Sequence, residues 1–316
     1  MGPDERDPVD RPSRSERGEG LTPTNDRGRC VLVTGAAGFI GRHVVRTLER
    51  ADVPVLAIDH AWRTRAELDS RVGSAEISAC IHLGWYANPS DYLTSEPGNR
   101  LSLSSSLELL DLLTERDCRH LTVAGSSAEY RISSSPLSET NQLSDSTAYA
   151  RSKRAFHLAT AALERAGATS TAWCRIFNVS GPGEQKTRLL PLVTTSLIAG
   201  SPVALTDCSQ VRDFLDVRDV AAALVSVSSA GLSGPINVCS GQPVTLRNLL
   251  LEIARRCGRP NLLRFGELAR RPGDPDFVVG DARRISTELR WQRGISQETM
   301  LDDLVAEWQS RLEEGQ

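Results

Sequence analysis

Lysine is almost missing from this chain. Among 316 residues only Lys153 and Lys186 occur, and arginine supplies nearly all the other positive charge. The formal net charge is -3 and the sequence pI about 6.0, so no global basic field draws the protein to nucleic acid or anionic lipid. No apolar run approaches the roughly 20 residues that cross a bilayer, which argues against a membrane partner. The N-terminus carries charge but lacks the apolar core of a secretory signal. The seven cysteines, at 30, 80, 118, 174, 208, 239 and 257, are widely spaced and form no C-x-x-C. They argue against a disulfide framework or a zinc site and read as reduced thiols of a cytoplasmic protein. Five histidines without ligand spacing disfavour a metal hydrolase, so no metal is expected. The absence of G-x-S-x-G disfavours a serine hydrolase. No internal repeat is visible.

What the chain does contain is a polar start followed by alternating strand and helix patterns. Residues 1–28 are mostly Asp, Glu, Arg, Pro, Gly and Ser. They cannot bury enough surface to offset ordering, which predicts a disordered tail. Order is expected from Cys30-Val31-Leu32-Val33-Thr34, an apolar run suited to a buried parallel strand. It leads into Gly35-Ala36-Ala37-Gly38-Phe39-Ile40-Gly41 and then a helical pattern through Val44, Val45 and Leu48. In such a corner Gly35 makes the tight turn, Gly38 lets backbone approach a pyrophosphate at the positive helix end, and Gly41 packs helix on strand. The spacing is G-x-x-G-x-x-G, and strand and helix flank it as that reading requires.

The second strand, Val53–Ile58, ends at Asp59, where a carboxylate bonds ribose hydroxyls and repels a 2′-phosphate. Asp59 therefore favours NAD(H); Arg63 and Arg65 close behind leave NADP(H) as the alternative, and a helix cap or surface charge is the plain reading of the same aspartate. Between Asp59 and the next strand, Ala79–Gly84, there is room for one helix, about 65–72, and for no third strand. His82, inside a strand, reads as a satisfied core histidine. Further helices are expected over Leu101–Leu113, Leu189–Ala199, Ala221–Ser229, Leu246–Cys257, Ala282–Arg290 and Met300–Leu312. Further strands are expected at Leu121–Ala124, Ser170–Ile176 and Ile236–Val238.

Tyr149-Ala150-Arg151-Ser152-Lys153 opens another helical pattern. Residues four apart share a helix face, so the phenol and the ammonium are neighbours. The cation favours phenolate, which predicts that Tyr149 titrates nearer neutrality than the free value of about 10. Such a pair suits the interconversion of alcohol and ketone. Taken alone it fits equally a chance pair on a solvated face. Retention of lysine here, in a chain that uses arginine elsewhere, favours function, because a compact ammonium and a planar guanidinium are not interchangeable in a tight site.

These segments together resemble the extended short-chain dehydrogenase/reductases, in particular the NAD-dependent epimerase/dehydratase family that acts on nucleotide sugars. The resemblance runs from about Cys30 to Trp291. It is carried by Thr34-Gly35-Ala36-Ala37-Gly38-Phe39-Ile40-Gly41, Ser126-Ser127-Ala128-Glu129-Tyr130, Tyr149-x-x-x-Lys153, Arg175-x-Phe177-Asn178-x-x-Gly181-Pro182-Gly183, Arg212-Asp213-Phe214 and Arg270-Arg271-Pro272-Gly273-Asp274. The resemblance implies an α/β fold: a doubly wound, mostly parallel Rossmann sheet with a smaller C-terminal α+β substrate-binding domain. It assigns residues 29–178, with about 209–238, to the NAD(P)-binding domain, and 179–208 with 239–316 to the nucleotide-sugar domain. It implies Tyr149 as acid/base, Lys153 as its tuner and a ribose anchor, and Ser127 as the hydroxyl that orients the substrate oxygen. Gly35, Gly38, Phe39, Ile40, Gly41, Asp59 and Leu83 would hold the cofactor. Ser127, Glu129, Asn178, Arg212 and Arg271 would meet the substrate, although each arginine alone would read as a surface salt bridge. Two helices, Leu101–Leu113 and Tyr149–Leu163, resemble those that pair in homodimers of the family.

The chain departs from the family pattern in a shortened passage after Asp59, a Tyr130 motif one residue short, and Trp85-Tyr86 in place of small residues. Dehydratases of the family carry an Asp-Glu pair after the hydroxyl residue, and here Ala128 precedes Glu129. The expectation is thus a 4-ketoreductase of a nucleoside-diphosphate 4-keto-6-deoxysugar. The alternatives are a C4 epimerase with tightly held NAD and, from another class, a non-catalytic dinucleotide sensor.

Overall fold

The structure, a computed structural model, describes residues 29–59 and 62–315. The expectation of a disordered tail over 1–28 lies outside the described residues. The first half runs β1 (Cys30–Thr34), α1 (Gly41–Arg50), β2 (Val55–Ile58), α2 (Arg65–Val72), β3 (Ile77–His82), α3 (Glu96–Glu115), β4 (His120–Ser126), α4 (Ala148–Arg165) and β5 (Ser170–Ile176). The second half runs β6 (Asn178–Ser180), α5 (Leu189–Ile198), β7 (Val203–Leu205), β8 (Val211–Arg212), β9 (Phe214–Asp216), α6 (Val217–Ala230) and β10 (Gly234–Val238). It closes with β11 (Val244–Thr245), α7 (Leu246–Arg256), β12 (Leu263–Phe265), β13 (Phe277–Val278), α8 (Arg283–Leu289) and α9 (Gln297–Glu313).

Six strands form one parallel sheet in the order β10-β5-β4-β3-β1-β2. Apolar runs such as Leu32-Val33 are buried because helices cover both faces. One face packs Val44, Leu48, Leu224 and Ile236. The other packs Leu68, Leu109, Leu113, Phe156 and Trp173. Among the described residues β2 is the edge strand and no third strand lies beyond it, in line with the short passage after Asp59. The strand order reverses between β1 and β3, and that is where open α/β sheets bind ligands.

A separate apolar core joins α5, α7 and α9 through Leu190, Leu249, Ile253, Leu304 and Trp308. The small strands around it pair locally, β11-β8-β13, β12-β7 and β6-β9. α8 belongs elsewhere: Ile285 is part of the sheet core, with Leu289 and Trp291 packed against it.

Candidate active site

The site begins at the corner between β1 and α1. Gly35 has φ +66°, and a Cβ there would stand 3.0 Å from the backbone of Leu83 and Gly84. Only glycine fits such a left-handed, closely packed position without strain. A Cβ on Gly41 would stand 2.0 Å from the Gly35 carbonyl oxygen, so that glycine seats the helix on the turn. α1 carries no acidic residue in its first turn, which leaves its positive end open to an anion. This corner lines a cavity of about 770 Å3 that also takes in Phe39, Ile40, Asp59, Leu83 and Ala124. Of the residues expected to hold a cofactor, all but Lys153 line it. The cavity continues along the start of α3, past Ser95, Gly98 and Ser102, to Arg188.

His82 lines the cavity yet is fully engaged. Its Nδ1 is 2.6 Å from Thr34 Oγ1 and its Nε2 is 2.9 Å from Ser106 Oγ. Burial, with a smaller push from Lys153, lowers it to about 3. It is a neutral core histidine that fixes β3 to β1 and α3.

Thr147 caps α4 by accepting the Ala150 N–H, which sets Tyr149 and Lys153 in the first turns. Lys153 is 3 % exposed. Its Nζ donates to the Ala124 carbonyl at 2.8 Å and lies 3.8 Å from the centroid of the Trp85 ring. Trp85 lines the cavity, and its indole Nε1–H donates to Asn99 Oδ1 at 2.9 Å. The ammonium thus packs on an indole that itself lines the cavity. Burial lowers Lys153 to about 7, and the Glu129 carboxylate opposes that fall.

Tyr149 is enclosed by aromatic edges. Tyr92 and Trp85 meet it at ring-centroid distances of 5.3 and 6.4 Å. Its own N–H donates to the Leu93 carbonyl, so the segment after β3 folds over it. The expectation of a lowered tyrosine pKa is corrected here. Burial raises Tyr149 above its usual value, the Glu129 charge adds to the rise, and only a hydrogen bond from Ser126 pulls the other way. The ammonium, 5.8 Å from the phenol ring centroid, is turned to Ala124 and Trp85.

The hydroxyl that reaches Tyr149 belongs to Ser126, not to the expected Ser127. Ser126 ends β4 and caps a single 3-10 turn, Ser127–Glu129, accepting the Ala128 N–H at 3.2 Å. The same turn carries Glu129 inward. It is 1 % exposed, so its expected place against substrate is also corrected. Its Oε1 accepts the Ser126 N–H at 2.6 Å and its Oε2 accepts the Trp173 Nε1–H at 2.8 Å, with Arg175 Nε at 3.5 Å.

Asn178, Arg212 and Arg271 lie outside the cavity lining. The Asn178 amide donates to the Asp213 carbonyl at 3.0 Å. Arg212 donates from Nη2 to Asp274 Oδ1 at 2.7 Å, which neutralises much of its charge. Arg271 is exposed. Sequence reasoning missed the walling role of Trp85, the contact of Tyr92 with Tyr149, and Arg188 at the cavity mouth. Only the first left a trace, an indole where the family has small side chains.

The sequence matches the NAD dependent epimerase/dehydratase family over residues 31–239. The chain belongs to that family. It is an enzyme of the extended short-chain dehydrogenase/reductase type, whose members are NAD(P)-linked oxidoreductases and epimerases. Among its relatives, the UDP-glucose 4-epimerase of Azospirillum brasilense is 26% identical, covering 90% of this chain and 93% of that one. The GDP-6-deoxy-D-mannose reductase of Pseudomonas aeruginosa is 28% identical, covering 90% of this chain and 98% of that one. The fold superposes on the UDP-glucose 4-epimerase of Thermus thermophilus, solved with NAD, with a TM-score of 0.80 at 21% identity, covering 89% of this chain and 99% of that one. The residues present fit the pyrophosphate and adenosine half of an NAD(P) cofactor: a glycine corner that a Cβ would fill, an open helix end, and Asp59 at the tip of β2. At the nicotinamide half, neither Tyr149 nor Lys153 lines the cavity; the ammonium meets Trp85 and Ala124, which do.

Among the described residues no helix is long and apolar enough to cross a membrane.

Proposed function

We propose that the protein is an NAD(P)-dependent 4-ketoreductase of a nucleoside-diphosphate 4-keto-6-deoxysugar. The observation that carries this reading is the placement of Tyr149 beside Lys153 at the start of α4, with the Ser126 hydroxyl against the phenol. A protonated phenol held by a serine hydroxyl suits donation to a ketone oxygen. Dehydration needs further acid/base groups, and Ala128 with an interior Glu129 supplies none. The 28% identical GDP-6-deoxy-D-mannose reductase supports the same choice.

When bound, the reduced nicotinamide supplies the hydride to the sugar C4. Tyr149 gives its phenolic proton to the C4 oxygen, so the carbonyl becomes a hydroxyl and the phenolate recovers a proton from solvent. Ser126 donates to the same region and orients the oxygen, the role first read for Ser127. Lys153 holds the phenol's surroundings and, once clear of Trp85, a ribose hydroxyl. Asp59 favours NAD(H) over NADP(H). Asn178, Arg212 and Arg271 are assigned to the diphosphate of the substrate, where guanidinium forks suit phosphate oxygens. The division into a dinucleotide domain, 29–178 with 209–238, and a substrate domain, 179–208 with 239–316, draws support from the separate core of α5, α7 and α9, with α8 as the exception that packs on the sheet. The protein is read as a cytoplasmic homodimer joined through α3 and α4, on which Leu101, Leu107 and Leu158 are exposed.

A C4 epimerase is the second reading, favoured by the 26% identical UDP-glucose 4-epimerase. Cofactor content separates the two. The purified reductase releases its dinucleotide and consumes added reduced cofactor on a 4-keto sugar, whereas an epimerase retains oxidised NAD and consumes none. A non-catalytic sensor predicts unchanged biological output for Tyr149→Phe.

A further inference from the structure

Behind the reaction face lies a buried carboxylate that the reduction does not consume. Glu129 bonds the Ser126 N–H at 2.6 Å, completing a reciprocal capping box at the end of β4. Its other oxygen meets the Trp173 indole N–H at 2.8 Å. Gly125 makes the space, since a Cβ there would stand 2.5 Å from Trp173 Nε1 and 2.9 Å from Glu129 Oε1. Arg175, 2 % exposed, faces the carboxylate and donates to Tyr130 Oη at 3.1 Å and to the Glu139 carbonyl at 3.3 Å. Tyr130 in turn donates to Asn237 Oδ1 at 2.7 Å on β10. The strand end that presents Ser126 is therefore pinned from three neighbouring elements.

We propose that Glu129 is a positioning residue, which holds the Ser126 hydroxyl against Tyr149 from the interior side and sets the electrostatic field across the Tyr149–Lys153 pair. The proposal deepens the reductase reading and rests on it for the role of Tyr149. A carboxylate that merely filled the core would be cheaper as an apolar residue, because a buried ion pair seldom outweighs its desolvation. Here its charge acts on both reactive groups: it opposes the burial-driven fall of Lys153 and adds to the rise of Tyr149. The titratable groups that face Lys153 are Glu129, Tyr149 on its own helix, and His82 from β3, which stays neutral. Those that face Glu129 are Arg175, Lys153, Tyr149 and Tyr130.

The scarcity of lysine makes the test direct. Protein labelled with 13C at lysine Cε gives two signals, one from Lys153 and one from Lys186, assigned by Lys186→Arg. The substitution Glu129→Gln keeps an oxygen for the Ser126 N–H and removes the charge. The expected result is a folded variant whose Lys153 midpoint falls below the wild-type value by about half a pH unit or more. An unchanged Lys153 midpoint overturns the proposal even if thermal stability drops, because a purely structural carboxylate would change only stability. Should Glu129→Gln fail to fold, Lys153→Met gives the reciprocal reading. Removing the ammonium must raise the pH at which Glu129 takes a proton, followed at the Trp173 indole N–H signal, and an unmoved midpoint there also overturns the proposal. Both titrations need neither substrate nor dinucleotide, so they can fail while the reductase assay succeeds, and the reverse.

Discussion

Lys153 sits at about 7 in the fold against an ordinary value of 10.5. Between those pH values the unfolded chain binds more protons, so stability rises with pH across that window. The penalty is full below about pH 7, where burying the charge costs on the order of 5 kcal/mol. Lys153→Met removes the penalty. Urea unfolding at several pH values should show the variant more stable than wild type near neutrality, with the difference closing toward pH 10. Trp85 governs the same group from the cavity side. Trp85→Ala admits water to Nζ and should move its midpoint upward, toward 10.5, and tighten dinucleotide binding measured by calorimetry. An unmoved midpoint would mean that the indole does not shield the amine. Tyr149→Phe is expected to lose about 10²–10⁴ in reduction rate while binding dinucleotide within a few-fold of wild type. At this scale the sequence told only part of the story. The Tyr149–Lys153 spacing and the glycine corner were legible because a helix and a strand–turn–helix corner impose them locally. Ser126 rather than Ser127 meets the phenol, and Glu129 lies in the interior, because Ser126 caps a 3-10 turn whose third residue is Glu129, a detail that spacing does not show. The direction of the tyrosine shift was also missed, since helix periodicity says nothing about which way an ammonium turns when a carbonyl and an indole compete for it.

Among the elements, β4 and its turn do the most to shape the site. Gly125 leaves no room for a methyl group between Trp173 and Glu129, so Gly125→Ala should destabilise by about 1–3 kcal/mol, the usual cost of overpacking, and disturb Ser126. Gly41→Ala meets backbone, which cannot step aside as a side chain can. It should weaken dinucleotide binding by more than its effect on stability, because it displaces the end of α1 from the turn. Calorimetric titration with dinucleotide, set beside thermal melts of the same variants, checks both. Elements were mostly readable from periodicity: β1 and β5 fall where their apolar runs lie, and the absence of a strand beyond β2 followed from a passage too short to hold one. α3 begins five residues earlier than its apolar spacing suggests, at Glu96, because Ser95 caps it and Pro97 suits its first turn.

At the scale of the whole molecule, a six-stranded parallel sheet ends at β2, and a second apolar core from α5, α7 and α9 stands beside it. The family resemblance led to the expectation of two parts, whereas the return of α8 to the sheet core left no sign in the sequence. Leu101, Leu107 and Leu158 leave an apolar stripe on α3 and α4, and light scattering at micromolar concentration should give the mass of a dimer. The account as a whole stands on hydride delivery to a sugar carbonyl. Reduced dinucleotide carrying deuterium at the nicotinamide C4, mixed with the protein and a nucleoside-diphosphate 4-keto-6-deoxysugar, tests it most directly. The expected product is the alcohol with one deuterium at C4, formed in step with cofactor oxidation and lost with Tyr149→Phe. A sugar product free of deuterium, or a keto sugar left unchanged, would contradict the account.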